Sequence, residues 1–406
     1  MTLEHRGSRP INSSTPGAFR PRRETFLPFA LPHITQAEID EVADTLRSGW
    51  LSTGPKTKRF ELEFAAAVGA PHAVALNSGT AALHLALKAL GTAEGDEVIV
   101  PVYTFTSTAA VVIHCGARPV FVDVDPVTCN VEAARIEAAL TERTRAIVVV
   151  HIAGLPAEMD EILEAAGRHG IPVIEDAAHA FPALYRGRMV GDIGDMTAFS
   201  FYATKPLATG EGGMLTLGNA EHALRVSSLA LHGMTRGAWN RYAAEGSWFY
   251  EVLEPGYKCN MSDLVASVGL HQLARRTWLH SRRRAIARRY TAALSGVTGL
   301  DPPPEPAHVD HSWHLYMLRV RAEDAHVTRD ELVGALSAAN VGTSVHFIPL
   351  HLQPYYRTTY ELHPEDFPSA LAAYRQEISL PIYPGMTDED VDYVIETILQ
   401  TMEGRA

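Results

Sequence analysis

Ile171-Pro-Val-Ile-Glu-Asp-Ala-Ala-His-Ala-Phe181 has the form of a short buried strand that ends in acids and runs into small residues. It follows a helical pattern over 158–170 that closes on Gly170. An apolar run this short behind a helix is what a parallel sheet gives when both of its faces are covered. The strand delivers Asp176 to the carboxyl edge of that sheet, where ligands bind in open α/β folds. A solvated or helix-capping aspartate is the plain alternative at this position.

The same alternation extends upstream. Short strands are expected over 73–76, 97–100, 119–122 and 146–150, and helices over 80–90 and 131–140. Thr35 and Glu38 have the spacing of a capping box, and Ile39, Val42 and Leu46 follow at helical intervals, so a first helix should end at Ser48-Gly49. Downstream, one long Arg-rich helix is expected over 262–294, a strand over 315–320, and helices over 328–339 and 388–402. The fold class is therefore α/β, a large mostly parallel sheet domain with a smaller C-terminal α+β domain. The expected division is a flexible arm over 1–25, a large domain over 26–270 and a small domain over 271–406. The basic cluster Arg20, Arg22 and Arg23 in that arm either is solvated or touches a neighbouring subunit.

Bulk properties narrow the function classes. The 406 residues carry 35 Lys and Arg against 47 Asp and Glu, a net charge of −12, the wrong sign for holding nucleic acid by its phosphates. No apolar stretch of about 18 residues suggests a membrane span, and the first residues lack the apolar core of a secretory signal. Cys115, Cys129 and Cys259 make no C-x-x-C pair, which favours a reducing compartment, and a cytoplasmic protein is expected. His-Glu-x-x-His is absent, and no metal is expected. A Gly-x-Gly-x-x-Gly dinucleotide turn is also missing after the early strands.

Three features carry chemistry. Asn77-Ser-Gly-Thr80 lies between a strand and a helix, so the N–H groups of Gly79 and Thr80 sit where partial positive charge favours a phosphate, although such a turn is also an ordinary helix cap. Asp176 at its strand end can pair with a protonated ring nitrogen. The run FSFYATKPLATGEGG, 199–213, sets the single lysine Lys205 among aromatic, small and hydroxyl residues. A lysine drawn toward an apolar pocket loses part of its preference for charge, and an unprotonated amine attacks carbonyls. Ser200 and Thr204 offer hydroxyls nearby.

In this order the three features resemble a fold-type-I pyridoxal-phosphate enzyme. From about Phe26 onward the chain resembles the DegT/StrS group of sugar-nucleotide aminotransferases. Seven blocks carry the likeness: SGWLSTGP at 48–55, NSGTAALH at 77–84, GDEVIVPVYTFTST at 95–108, EDAAHAF at 175–181, the Lys205 run, GYKCNMSD at 256–263 and VHFIPLHLQPYY at 345–356. The resemblance implies a pyridoxal 5'-phosphate cofactor bonded to Lys205, which also moves the proton, with Asp176 on the pyridine nitrogen. It implies Phe105 against the ring face and His179 near the phenolic oxygen. Gly79, Thr80 and Ser200 would hold the phosphate, with Asn260 reaching in from the other subunit of a homodimer. A nucleotide-sugar substrate would meet Trp50, Thr53, His346 and His351, while Tyr103, His151 and Tyr355 fit the core or its margin better. The implied reaction moves an amino group from L-glutamate to a nucleoside-diphosphate keto sugar. The lysine run and His179 look more like members acting at C4, the pattern being nearest to those that make UDP-4-amino-4-deoxy-L-arabinose. Amination at C3 and a non-catalytic regulatory role are the alternatives. A dehydratase of this group would need His in place of Lys205. Pro206 stands where Asn is common, which removes a backbone donor, and Cys259 where Tyr or Phe is common.

Overall fold

The computed structural model describes residues 22–235 and 249–404. Of the arm expected over 1–25, residues 1–21 therefore lie outside the described residues. Arg23 is held within the chain, its guanidinium 2.7 Å from Asp390 and its N–H donating to Tyr393 Oη at 3.1 Å.

A seven-stranded sheet organises the larger part. Its strands are β1 (His72–Leu76), β2 (Glu97–Pro101), β3 (Arg118–Val122), β4 (Thr144–Val150), β5 (Val173–Asp176), β6 (Met196–Ser200) and β7 (Gly213–Leu217). Their spatial order is β1-β7-β6-β5-β4-β2-β3. Only β7 runs against its neighbours, pairing antiparallel with β1 and β6. The strands are buried nearly end to end because apolar clusters cover both faces, one containing Val98, Val100 and Val148, the other Ile99, Ile147 and Val149. Adjacent residues of one strand thus serve opposite cores, which is why these segments read as continuous apolar runs. The expected strands and the helices between them stand close to the expected positions, as do Gln36–Ser48, with its Thr35/Glu38 capping box and Gly49 at φ 75°, and Asp388–Met402.

Two expectations need correction. The single helix expected over 262–294 is two, Asp263–Ala274 and Arg276–Leu294, separated at Arg275 (φ −96°, ψ 4°). The first packs its Ala266, Leu270 and Leu273 in the sheet's core, whereas Ile286, Ala287, Tyr290 and Leu294 of the second belong to a separate C-terminal core. A straight rod cannot serve both. The helix Pro55–Val68 was not expected at all. Asp263 caps it from 206 to 209 residues away: its carboxylate accepts from the N–H groups of Gly54 at 2.8 Å, Lys56 at 3.0 Å and Thr57 at 2.9 Å, and from Thr57 Oγ1 at 2.6 Å.

The C-terminal core surrounds a three-stranded antiparallel sheet, β8 (Leu300–Asp301), β9 (Tyr316–Val320) and β10 (Glu377–Leu380), in the order β8-β9-β10. Leu27 joins that core and bridges Val341, tying the start of the described chain to the C-terminal core. Among the described residues, no helix is long and apolar enough to cross a membrane.

Candidate active site

The carboxyl ends of β5 and β6, the start of helix Gly79–Ala89 and the C-terminal segment at 346–347 enclose a cavity of about 330 Å³. Gly79, Thr80, Phe105, Asp176, His179, Ser200, Lys205 and His346 all line it. Eight residues scattered over 268 positions of sequence therefore meet at one place.

One wall of the cavity depends on close backbone approach. A Cβ on Gly79 would lie 2.9 Å from Ser200 Cβ, and one on Gly213 would lie 2.4 Å from the Ser78 carbonyl, so β6 and β7 press against the turn only because glycine stands at both places. Ser78 caps the helix, its Oγ accepting from Ala81 N at 3.0 Å. The first N–H groups of the helix, at Gly79 and Thr80, have no acceptor within the helix and are suited to an anion.

Asp176 ends β5 between Val150 and Ala198 of the neighbouring strands. Its Oδ2 accepts from Thr108 Oγ1 at 2.9 Å and its Oδ1 from Ala178 N at 3.2 Å. Burial pushes its carboxyl above the usual carboxylate range, against the pull of those hydrogen bonds and of Lys205. Burial likewise brings the Lys205 amine down to about 8, with Asp176 opposing. The lysine's Nζ lies 3.4 Å from His314 Nε2. His314 lines the cavity, and burial keeps it far below the ordinary histidine value, hence neutral.

His179 is also neutral by burial. Its Nδ1 accepts from Ala153 N at 3.2 Å, so the ring proton resides on Nε2. Its ring lies 4.5 Å from that of His314 and stacks on Phe347 at 5.7 Å. Phe105 is 56% exposed, a ring face open to the cavity and its surroundings.

The remaining predicted residues do not join this wall. Trp50, Thr53 and Asn260 form a cluster of their own: Trp50 Nε1 donates to the Thr53 carbonyl at 3.1 Å, and Asn260 Nδ2 donates to Thr53 Oγ1 at 2.5 Å. Lys258 Nζ donates to Asn260 Oδ1 at 2.6 Å. His351 is fully buried with its ring 5.0 Å from Phe367, away from the cavity, because the turn at 350–352 packs into the sheet's core. Tyr103 is buried with its Oη donating to the His346 carbonyl at 2.7 Å, and His151 pairs with buried Glu175 at 2.9 Å. Tyr355 is 54% exposed. Thr108 and His314 are the residues that sequence reasoning missed. Thr108 was inside a quoted block, and His314 immediately precedes an expected strand. What marks each is its contact with Asp176 or Lys205 across 68 and 109 residues, which spacing does not record.

This donor set fits pyridoxal phosphate: a depressed lysine amine, a buried carboxylate on the same cavity, and a glycine-lined helix start that a Cβ would fill. The comparisons with known proteins agree. The model of the DegT/DnrJ/EryC1/StrS aminotransferase family matches residues 32–399. The spore coat polysaccharide biosynthesis protein SpsC of Bacillus subtilis is 54% identical over 384 residues, 94% of this chain and 99% of SpsC. The PMP form of Spr1654 from Streptococcus pneumoniae is similar with a TM-score of 0.88 at 37% identity, over 94% of this chain and 100% of that one, and its PLP form has a TM-score of 0.87. PseC of Helicobacter pylori, an aminotransferase involved in pseudoaminic acid biosynthesis, has a TM-score of 0.87 at 25% identity, over 94% of this chain and 100% of PseC.

Proposed function

The chain belongs to the DegT/DnrJ/EryC1/StrS aminotransferase family of pyridoxal-phosphate-dependent sugar aminotransferases, and from that premise we propose that it transfers the amino group of L-glutamate to C4 of a nucleoside-diphosphate keto sugar. The observation that carries this reading is the pairing on one cavity of a lysine amine brought down to about 8 with a buried carboxylate.

Pyridoxal phosphate, when bound, supplies an aldehyde that condenses with amines and a ring that takes up the electron pair left when a donor's Cα loses its proton. The chain's own residues do the rest. Asp176, held by Thr108 and Ala178, keeps a negative charge against the ring nitrogen and so favours its protonated, electron-accepting form. Lys205 would hold the cofactor through its amine, and that amine when free would move a proton from the donor's Cα to the cofactor's C4′. An amine with a pKa near 8 is neutral in an appreciable fraction at physiological pH, as this role requires. The N–H groups of Gly79 and Thr80, with Ser200, hold the phosphate. Phe105 would cover a face of the ring, and His179, whose proton is on Nε2, would offer that N–H to the phenolic oxygen. His346 meets the sugar.

We further propose a homodimer in which Trp50, Thr53 and Asn260 of one subunit complete the cavity of the other. Their hydrogen-bonded cluster lies beside the strand end at Leu76, which Asn260 bridges, yet none of the three lines the cavity of its own chain, as suits groups that serve a neighbour. The three cysteines are free thiols, which suits the cytoplasm.

The test is a pair of half-reactions. L-glutamate added to the reconstituted enzyme should remove the aldehyde form's absorbance. A panel of 4-keto and 3-keto nucleotide sugars is then offered to the pyridoxamine form. Recovery of the aldehyde form with 4-keto sugars supports the reading; recovery only with 3-keto sugars moves the amination to C3, and no recovery with any member removes the nucleotide-sugar assignment.

A further inference from the structure

His346 lines the cavity, yet most of what holds it lies outside the cavity. Glu377 and Ser379 stand two residues apart on β10, so their side chains share one face of the strand, and both are fully buried. Glu377 Oε2 accepts from the backbone N–H of His346 at 2.8 Å. Its Oε1 bonds Ser379 Oγ, and the same hydroxyl lies 2.9 Å from His346 Nδ1. Tyr103 Oη holds the His346 carbonyl at 2.7 Å and Phe29 stacks on the ring at 5.5 Å. The backbone and Nδ1 are engaged within the chain, which leaves Nε2 for the cavity.

A hydroxyl between a carboxyl group and an imidazole has one proton to give. With Glu377 ionised, the carboxylate only accepts, so Ser379 donates to it and accepts from His346 Nδ1–H, and Nε2 presents a bare lone pair. With Glu377 protonated, the chain of donors reverses: Glu377 donates to Ser379, Ser379 donates to Nδ1, and Nε2 carries the proton. We propose that Glu377, acting through Ser379, is a positioning residue that sets whether His346 offers a substrate in the cavity a hydrogen-bond acceptor or a donor. This rests on the reading that the cavity takes a keto sugar, whose hydroxyl and carbonyl groups need opposite partners.

The charge balance around the chain suits a switch of this kind. His346 itself is brought down to about 4 by burial and stays neutral at physiological pH, so its polarity is a matter of tautomer rather than charge. Burial lifts Glu377 to about 8, against the opposing hydrogen bonds of Ser379 and His346 N–H and the fields of Arg329 and Arg319. Both guanidinium groups are engaged with carbonyl oxygens, Arg329 with those of Tyr374 and Glu377 itself, Arg319 with those of Pro126 and Val127. Tyr103 and Cys129 also feel the Glu377 charge, but burial holds both above their usual values, so they stay neutral. Lys205 acts on His346 from the cavity side.

Nitrogen-15 NMR of histidine-labelled holoenzyme reads the tautomer directly, with His346→Gln assigning the signal. The wild type should show the Nε2–H form below the Glu377 transition and the Nδ1–H form above it. In Glu377→Gln the side-chain carbonyl keeps the His346 N–H and the amide donates to Ser379, so the Nε2–H form should persist at every pH. Ser379→Ala should erase the pH step while leaving the melting transition cooperative. The kinetic arm uses dTDP-4-keto-6-deoxyglucose as probe. Above the Glu377 transition, where the two enzymes differ in tautomer, its KM should differ about 3- to 10-fold between Glu377→Gln and the wild type, the worth of one hydrogen bond, and below the transition the two should agree, while the half-reaction with L-glutamate is unchanged. A His346 tautomer that is the same across pH in the wild type, or that still steps with pH in Glu377→Gln, overturns the inference. If the wild type reacts with no keto sugar, the substrate reading falls separately and the NMR arm still decides this one.

Discussion

Lys205 and Asp176 are displaced in opposite directions by the same cause. Burial disfavours the charged form of each, lowering the amine to about 8 and raising the carboxyl, and each charge partly restores the other. A protonated pyridine nitrogen beside Asp176 would add a further charge that favours its ionised form. Lys205→Ala should leave a folded protein that still binds the cofactor without a covalent bond but transfers amino groups at least about 10³-fold more slowly, as loss of a positioned acid–base implies. Single-turnover mixing with L-glutamate measures this, and residual turnover near the wild-type rate would remove the lysine from its role. Glu377 gives a second prediction at this scale. Its carboxyl titrates at 4.5 when unfolded and about 8 when folded. Between these values the native state binds the extra proton, so the contribution of this group is fully present below pH 4.5 and is lost as pH rises through about 8. Glu377→Gln removes that slope. The melting temperature of the variant minus that of the wild type should therefore rise from about pH 5 to pH 8, and a difference that stays flat or falls would show that Glu377 is ionised throughout.

At the scale of elements, the helix Pro55–Val68 owes its start to a residue of another helix. Asp263 satisfies three of the N–H groups that an α-helix leaves without partners, and it does so from a buried site beside Trp50 and Gly54. Asp263→Ala should cost about 2–4 kcal/mol, because several donors are left buried and unpaired together. Urea unfolding checks the figure, and a loss below about 0.5 kcal/mol would mean that water replaces the carboxylate. The same arrangement explains what could be read in advance. Elements with local signals stood out: the Thr35/Glu38 capping box, the apolar strands, and the strand that delivers Asp176. Phe60, Phe64 and Val68 recur at helical spacing behind Pro55, but the residue that fixes the helix start is Asp263, a contact that local sequence does not record. The pattern over 262–294 is continuous because both halves are helical, and the break at Arg275 exists only because two cores claim them. The candidate site divides the same way. Asp176, Lys205 and the Asn77-Ser-Gly-Thr80 turn carry local signatures, whereas His314, Thr108, Ser379 and Glu377 act through contacts between distant segments. His351, taken with His346 from one block, turns into the core five residues later.

On the scale of the whole molecule, the cavity lies at the junction of the large sheet with the C-terminal segment, and His346 comes to it from the C-terminal side. The cluster Trp50, Thr53 and Asn260 is the part of the expected site that one chain does not bring there. If two subunits share each cavity, Lys205 and Asn260 of one site come from different chains, and this can be tested without a structure of the dimer. Lys205→Ala and Asn260→Ala homodimers should each be impaired, the first fully, the second through weak cofactor phosphate binding. Unfolding the two together and refolding them at equal amounts gives half heterodimers by random pairing. One of the two cavities in each heterodimer then holds both defects and the other holds neither. Activity should therefore return to about a quarter of the wild-type value per subunit, with sedimentation showing a dimer throughout. If both residues served the same cavity of one chain, every cavity in every mixed dimer would carry one defect or the other and activity would stay at the average of the two parents. Recovery above that average requires a shared site, and a fully active monomer would exclude one.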